Sequence, residues 1–198
     1  MKKVNLSILL TFALAAILTA CGGKPKQSRC DVEVYTPLKQ YTEARLLDTH
    51  GRVIDSTLVI KNDSVRFSRN DVKEMPYVAD IQLRNPKDSI DILVMPIVIE
   101  GGTVKLDLTD RISLSGTDDN ERLFKFLKNK NSFIAKYQNE NHDLAKLKAD
   151  YSRYFLDQLM QNKGTIVGDY IYETYSSFLE PLDLKQAREI MEETSKEN

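Results

Sequence analysis

The chain has 198 residues, with 28 basic residues against 29 acidic ones, a formal net charge of −1, two cysteines, two histidines and no tryptophan. That length suits one domain or two small ones, and 41% apolar with 29% charged residues is the composition of a packed protein, not a disordered one. The balanced charge offers no basic field, so nucleic acid is excluded from the expected partners.

Residues 1–20 read as a leader. Met1-Lys2-Lys3 precedes an apolar run from Val4 to Ala20 that is broken by Asn5, Ser7, Thr11 and Thr19. A positive start, a short greasy middle and small residues at the exit are the layout of a secretory signal peptide. A lasting bilayer span needs about 20 cleaner apolar residues. The run ends in Leu18-Thr19-Ala20-Cys21, which resembles a bacterial lipobox. The resemblance implies that Cys21 is acylated and becomes the first mature residue, a membrane anchor to which each buried CH₂ contributes about 0.8 kcal/mol. Residues 21–30 then read as a lipidated tether, with Gly22-Gly23, Pro25, lysines and no apolar stretch to bury. Position 22 is Gly instead of Asp, and the tether lacks an acidic cluster, so the expected location is the outer membrane, facing the periplasm.

With Cys21 acylated, Cys30 is the remaining thiol. A dithiol redox site needs a second sulfur to resolve the mixed disulfide, and no Cys-x-x-Cys occurs. Beside Arg29, Asp31 and Glu33, at the end of a tether, Cys30 reads as an inert thiol or as the half of a partner-linked disulfide.

From 31 to 117 the pattern predicts an antiparallel β domain. Val32 and Val34 open it, Leu46 and Leu47 follow, and His50-Gly51 reads as a hairpin turn. A run from Val53 to Ile60 stops at Lys61-Asn62-Asp63. Val65 and Phe67 alternate with serine and arginine, and Tyr77, Ala79, Ile81 and Leu83 alternate with mostly polar neighbours, as strands with one wet face do. Ile90 to Ile99 is almost continuously apolar, which predicts cover on both faces, and Pro96 within it predicts an edge or a bulge. Gly101-Gly102 reads as the two-residue turn of a hairpin leading into Thr103–Leu108, and Ile112–Leu114 completes about seven strands. The density of strands points to a sandwich or half-barrel.

From 118 to 198 the period becomes helical. Thr117 or Asp118 reads as a cap, with Asp118 and Glu121 at the spacing of an acidic capping box. Leu123, Phe126, Leu127, Ile134 and Tyr137 make one stripe, and Leu144, Leu147, Tyr151, Tyr154, Phe155 and Leu159 a second, ended by Asn162-Lys163-Gly164. Ile166–Leu179 is a third helix, stopped by Glu180-Pro181, and Asp183 caps a short fourth to about Glu193. Strands followed by helices give an α+β fold.

Asp55-Ser56, Val65-x-Phe67, Ile99-Glu100-Gly101-Gly102-Thr103-Val104-Lys105-Leu106 and Ser115-Gly116-Thr117-x-x-Asn120-x-x-Leu123-x-x-Phe126 together resemble the domain of unknown function of family 4369. That domain commonly sits between a lipoprotein signal and a thioredoxin-like, AhpC/TSA-type domain in Bacteroidetes-type envelope proteins. The resemblance covers roughly 30–130, and the helices to about 195 are similar to the connector that follows it. It implies a thioredoxin-like partner in trans, because the chain ends at Asn198 without the paired cysteines, and it carries over no catalytic residue.

The remaining chemical candidates each have a plainer explanation. Glu100 and Asp107 could pair for glycoside hydrolysis, but read better as a hairpin mouth and a wet strand face. His50 and His142 lack metal-ligand spacing. Asp118-Asp119-Asn120-Glu121 lacks the glycine and the bidentate Glu of a calcium loop, and reads as a helix cap. Tyr170, Tyr172, Tyr175 and Phe178 could line a ligand groove, though helical spacing favours core. The expectation is therefore a lipid-anchored envelope module with no catalytic, metal or cofactor site of its own, accessory to thiol-disulfide or peroxide chemistry. The alternatives are a glycan- or lipid-binding outer-membrane lipoprotein, and a hydrolase using the two carboxylates.

Overall fold

The computed structural model describes residues 29–70, 76–138 and 143–197. The expected signal peptide, Cys21 with its expected acylation, and His142 lie outside the described residues. The short alternating runs become eight strands: β1 Cys30–Tyr35, β2 Glu43–Leu47, β3 Val53–Thr57, β4 Ser64–Arg69, β5 Tyr77–Asn85, β6 Asp88–Ile99, β7 Gly102–Asp107 and β8 Ser113–Ser115. Four helices follow: α1 Asp118–Ala135, α2 Leu144–Gln161, α3 Ile166–Tyr175 and α4 Pro181–Glu197, with a 3₁₀ turn at Ser176–Phe178 before α4. The fold is α+β, with the helices after the strands. Among the described residues no helix is long and apolar enough to cross a membrane.

The strands form two four-stranded sheets, ordered β4-β1-β7-β8 and β3-β2-β5-β6. The second is antiparallel throughout. The first is mixed, because β1 pairs with β7 in parallel, Val32 opposite Val104 and Val34 opposite Leu106. Both sheets turn an apolar face into one core. Val32, Val34, Val104, Leu106 and Leu114 come from the mixed sheet; Leu46, Ile81, Leu83, Ile97 and Ile99 come from the other. At about 1.5–3 kcal/mol for each large side chain withdrawn from water, this shared layer is the main force holding the sheets together.

Several sequence expectations are corrected. Gly101-Gly102 is not a hairpin turn: β6 and β7 lie in different sheets, and the two glycines carry the chain from one sheet to the other. Gly102 has φ 130°, and its N–H donates to the Arg29 carbonyl at 3.0 Å, which opens the parallel β1–β7 ladder. Cys30 is not in a tether. It is the first residue of β1 and fully buried, because it shares the inward face with Val32 and Val34. The Val53–Ile60 run is strand only to Thr57, and Leu58 and Val59 are exposed. Helix α4 starts at Pro181, where the missing N–H costs nothing, and runs beyond the expected Glu193.

The strand β6 is an edge, as Pro96 predicts, but it is not covered on both faces. Ile97, Val98 and Ile99 are fully buried while Ile90 is 88% exposed. The reason is the reach of the helical layer. Helix α1 packs on the Val98 end of β6 and on β8, and α3 packs on β5, whereas the Ile90–Val94 end extends past the helices. Pro96 sits at the same outward parity as Val98, so the N–H it lacks belongs to no ladder bond with β5.

Candidate functional site

Glu100, Thr117 and Asn120 form one knot where the strands hand over to the helices. Asn120 is fully buried. Its Oδ1 accepts from the Val98 N–H at 2.8 Å, and its Nδ2 donates to the Val98 carbonyl at 2.7 Å and to Thr117 Oγ1 at 2.8 Å. The side chain therefore serves Val98 as a neighbouring strand would. The Thr117 side chain does not cap the helix; Glu100 Oε1 accepts from the Asp119 N–H at 3.1 Å and supplies the cap from outside. This replaces the expected Asp118/Glu121 box. Burial raises the Glu100 pKa above the ordinary carboxylate value, Asp119 adds to the rise, and hydrogen bonds from Thr117 and the Asp119 and Asn120 backbones oppose it. The knot also depends on Gly116. With φ 101° and an added Cβ 2.1 Å from the Thr103 carbonyl oxygen, that position accepts no side chain.

The two carboxylates weighed for hydrolysis are not brought together. Glu100 is bound into this knot beside the start of β7, and Asp107 is the last residue of β7, where it accepts from the Thr109 N–H at 2.9 Å. Five residues of strand at about 3.3 Å each separate Gly102 from Asp107, beyond the span of about 5–9 Å that a glycosidase pair needs. His50 is exposed in its hairpin turn, its N–H donating to Asp48 Oδ1. Asp118 and Glu121 are exposed, Asp119 is partly buried and Asn120 is engaged with Val98, so the acidic tetrad is a helix start. Among the described residues no three His, Cys, Asp or Glu side chains converge as metal ligands. Cys30, at 0% exposure at the start of β1, is withdrawn from the surface.

The aromatic residues divide. Tyr175 stacks on Phe155 with ring centroids 4.5 Å apart and lies edge-on to Phe126, and Tyr170 meets the same Phe126 ring at 6.3 Å. Lys130 Nζ donates to the Tyr175 hydroxyl at 3.1 Å. These rings are core, and Tyr172 packs against it. Phe178 is half exposed. It lines an apolar groove of about 640 Å³ with Leu147, Tyr151, Leu179 and Pro181.

A second hollow of about 640 Å³ lies on the outer face of the mixed sheet. Strand alternation brings Glu33, Tyr35, Arg66, Lys105, Asp107 and Ser113 onto it. Arg66 pairs with Glu33 across β1 and β4, and Lys105 lies opposite Glu33 on the other side. Tyr35, 43% exposed, is flanked by Ser64 and Asp107. Two acids, two bases, hydroxyls and one aromatic ring suit a neutral polar ligand better than an ion. The sequence shows each strand's wet face but not that β1 and β7 are parallel, so it does not assemble this surface. Compared with known proteins, the chain matches no family model and no curated protein significantly.

Proposed function

We propose that this chain is a lipid-anchored cell-envelope module that binds a partner or ligand and catalyses no reaction itself. The observation that carries the reading is Leu18-Thr19-Ala20-Cys21 at the end of a short apolar leader. Burial of Cys30 supports it, since the thiol beyond the anchor is withdrawn from exchange. The accessory role toward a thioredoxin-like protein in trans rests on the resemblance to family 4369. Mass spectrometry of the mature protein tests the anchor: it should begin at an acylated Cys21, and Cys21→Ser should move the protein out of the membrane fraction. A mature terminus elsewhere removes the reading. Amine-directed crosslinking in membranes should recover a thioredoxin-like protein, and recovery of none removes the redox association while leaving the anchor.

A second reading, a glycan-binding outer-membrane lipoprotein, is favoured by Tyr35 in its polar hollow. An exposed ring among side chains that both donate and accept is the chemistry that holds a sugar ring by its face and its hydroxyls. Neutral oligosaccharides should bind with an affinity that Tyr35→Ala lowers about tenfold or more; equal binding by the variant sinks this reading.

A further inference from the structure

The outer edges of the two sheets are β4, β8, β3 and β6. Three of them are blunted. Strand β8 has three residues and packs on α1. Strand β4 carries Arg66 and Arg69 among serines, and the Arg69 guanidinium donates to the Ile54 carbonyl of β3 at 3.3 Å. Short strands and charged side chains are ordinary means by which an edge avoids pairing. Strand β6 differs. It has 12 residues with no lysine or arginine, and Asn120 closes its edge at Val98. Among the described residues no strand lies beside it from Ile92 to Val94.

Backbone direction alternates along an antiparallel strand. With the Val98 N–H and carbonyl facing outward, those of Ile92 and Val94 face outward too, in the same unbroken register. This open stretch ends on both sides without an unmet donor. Pro96 has no N–H. The Ile90 N–H donates to Asp88 Oδ1 at 3.1 Å, where residues 89–91 bulge from the ladder with β5. The edge thus offers two donors and two acceptors, with a stop at each end and the exposed side chains of Ile90, Ile92 and Val94 along one face.

We propose that a second copy of this chain pairs with it here, antiparallel, through β6 about a two-fold axis at Leu93. In that register Ile92 lies opposite the partner's Val94, and Val94 opposite the partner's Ile92, each pair exchanging two hydrogen bonds. Ile90 meets the partner's Pro96. Neither position has a free N–H, so no donor is stranded. An axis at Ile92 would instead set Ile90 against the partner's Val94 and leave a carbonyl without its donor. Antiparallel order also brings the exposed Lys87, in the β5–β6 turn, toward the partner's α1, which begins with Asp118, Asp119 and Glu121. The chain's own entering segment fits less well: it joins at Arg29 beside Gly102, past the sealed end of β6, and residues 22–29 hold no large apolar side chain. So short an edge buries less than the roughly 1,200 Å² of total surface found in stable complexes, and dissociation at about 10–100 µM is expected. The chain is therefore monomeric in dilute solution and pairs where it is concentrated.

Disulfide trapping of the full chain in detergent tests this. Leu93→Cys places two thiols face to face at the axis, in the closely spaced kind of pair, so diamide at a protein concentration of about 100 µM should yield a dimer that reductant reverses. The unsubstituted chain, with Cys30 buried, should yield none, and Val53→Cys, exposed on β3 at the opposite edge, should yield several-fold less. Adding Ile92→Lys, which sets like charges beside the axis, or Val94→Pro, which removes an outward N–H and spares the ladder with β5, should cut the Leu93→Cys crosslink about tenfold. Sedimentation of the unsubstituted chain in density-matched detergent should show a mass rising toward the dimer above about 100 µM, and Ile92→Lys should remain a monomer. Equal crosslinking by Val53→Cys, a crosslink that survives Ile92→Lys, or a mass that stays monomeric overturns the proposal. So does a Leu93→Cys adduct in cell membranes with a different protein in place of itself, which gives the edge to that protein. None of these results depends on where the mature chain begins.

Discussion

The two ends of β6 are made of the same kind of residue and meet opposite fates. At one end Val98 is sealed beneath α1, with Ile97 and Ile99 in the core between the sheets; at the other Ile90, Ile92 and Val94 stand in solvent. Both ends pair with β5 in one unbroken register from Ile92 to Ile99. The difference lies on the outer side of the strand. Asn120 gives Val98 the two hydrogen bonds that a further strand would provide, while the outward edge around Ile92 and Val94 has no neighbouring strand among the described residues. A strand edge is thus closed by a side chain from 22 residues away, and where that side chain does not reach, the edge stays available for pairing.

The comparison can be broken at the sealed end. Gly116→Ala forces a Cβ into the Thr103 carbonyl and should cost about 4 kcal/mol in urea unfolding, because α1 can no longer start where Asn120 meets Val98. Asn120→Ala strands the Val98 N–H and carbonyl and should cost about 3 kcal/mol, with faster amide exchange at Val98 and little change at Ile92. If Asn120→Ala is neutral, the sealed and open ends do not differ in the way described.

A smaller effect sharpens the picture. Asp80 lies opposite Pro96 under the helices, and burial raises its pKa. A raised carboxyl favours the folded state while protonated and loses that contribution as pH rises through its folded value. Asp80→Asn should therefore stabilise the protein at pH 7, on the order of 1 kcal/mol, with the gain shrinking as pH falls toward the ordinary carboxylate value. Asp91 responds in the opposite sense. Its hydrogen bonds from Tyr41 and Asn85 lower its pKa, so its contribution is present above the unfolded value and lost as pH falls through the folded one. At the open end, Ile90→Thr and Ile92→Thr should change unfolding free energy by no more than about 0.5 kcal/mol. A larger loss would mean that the open end is covered in solution, and sedimentation would show by what.

Much of the fold was legible. The alternation of Tyr77–Leu83 and the change of period after Gly116 both locate elements correctly, because side-chain polarity repeats at two or about 3.6 residues whatever lies beyond. Gly101-Gly102 misled, since glycines that permit a tight turn equally permit a passage between sheets. Asn120 was read as part of a helix cap, and nothing local distinguishes a capping amide from one that closes a distant strand. Glu100 was weighed as a catalytic acid; its role as a cap donated from another element appears only when β6 and α1 meet.

By itself the chain's order of residues determined where most strands and helices lie, that strands precede helices, and that a cysteine follows the apolar run 4–20. Those properties depend on neighbours within a few positions. Only the tertiary structure decided that β7 lies parallel to β1, that Cys30 is sealed in the core, and that one half of β6 is covered and the other bare. Each of these turns on contacts between residues far apart in sequence, and local periodicity carries no record of which distant surface arrives.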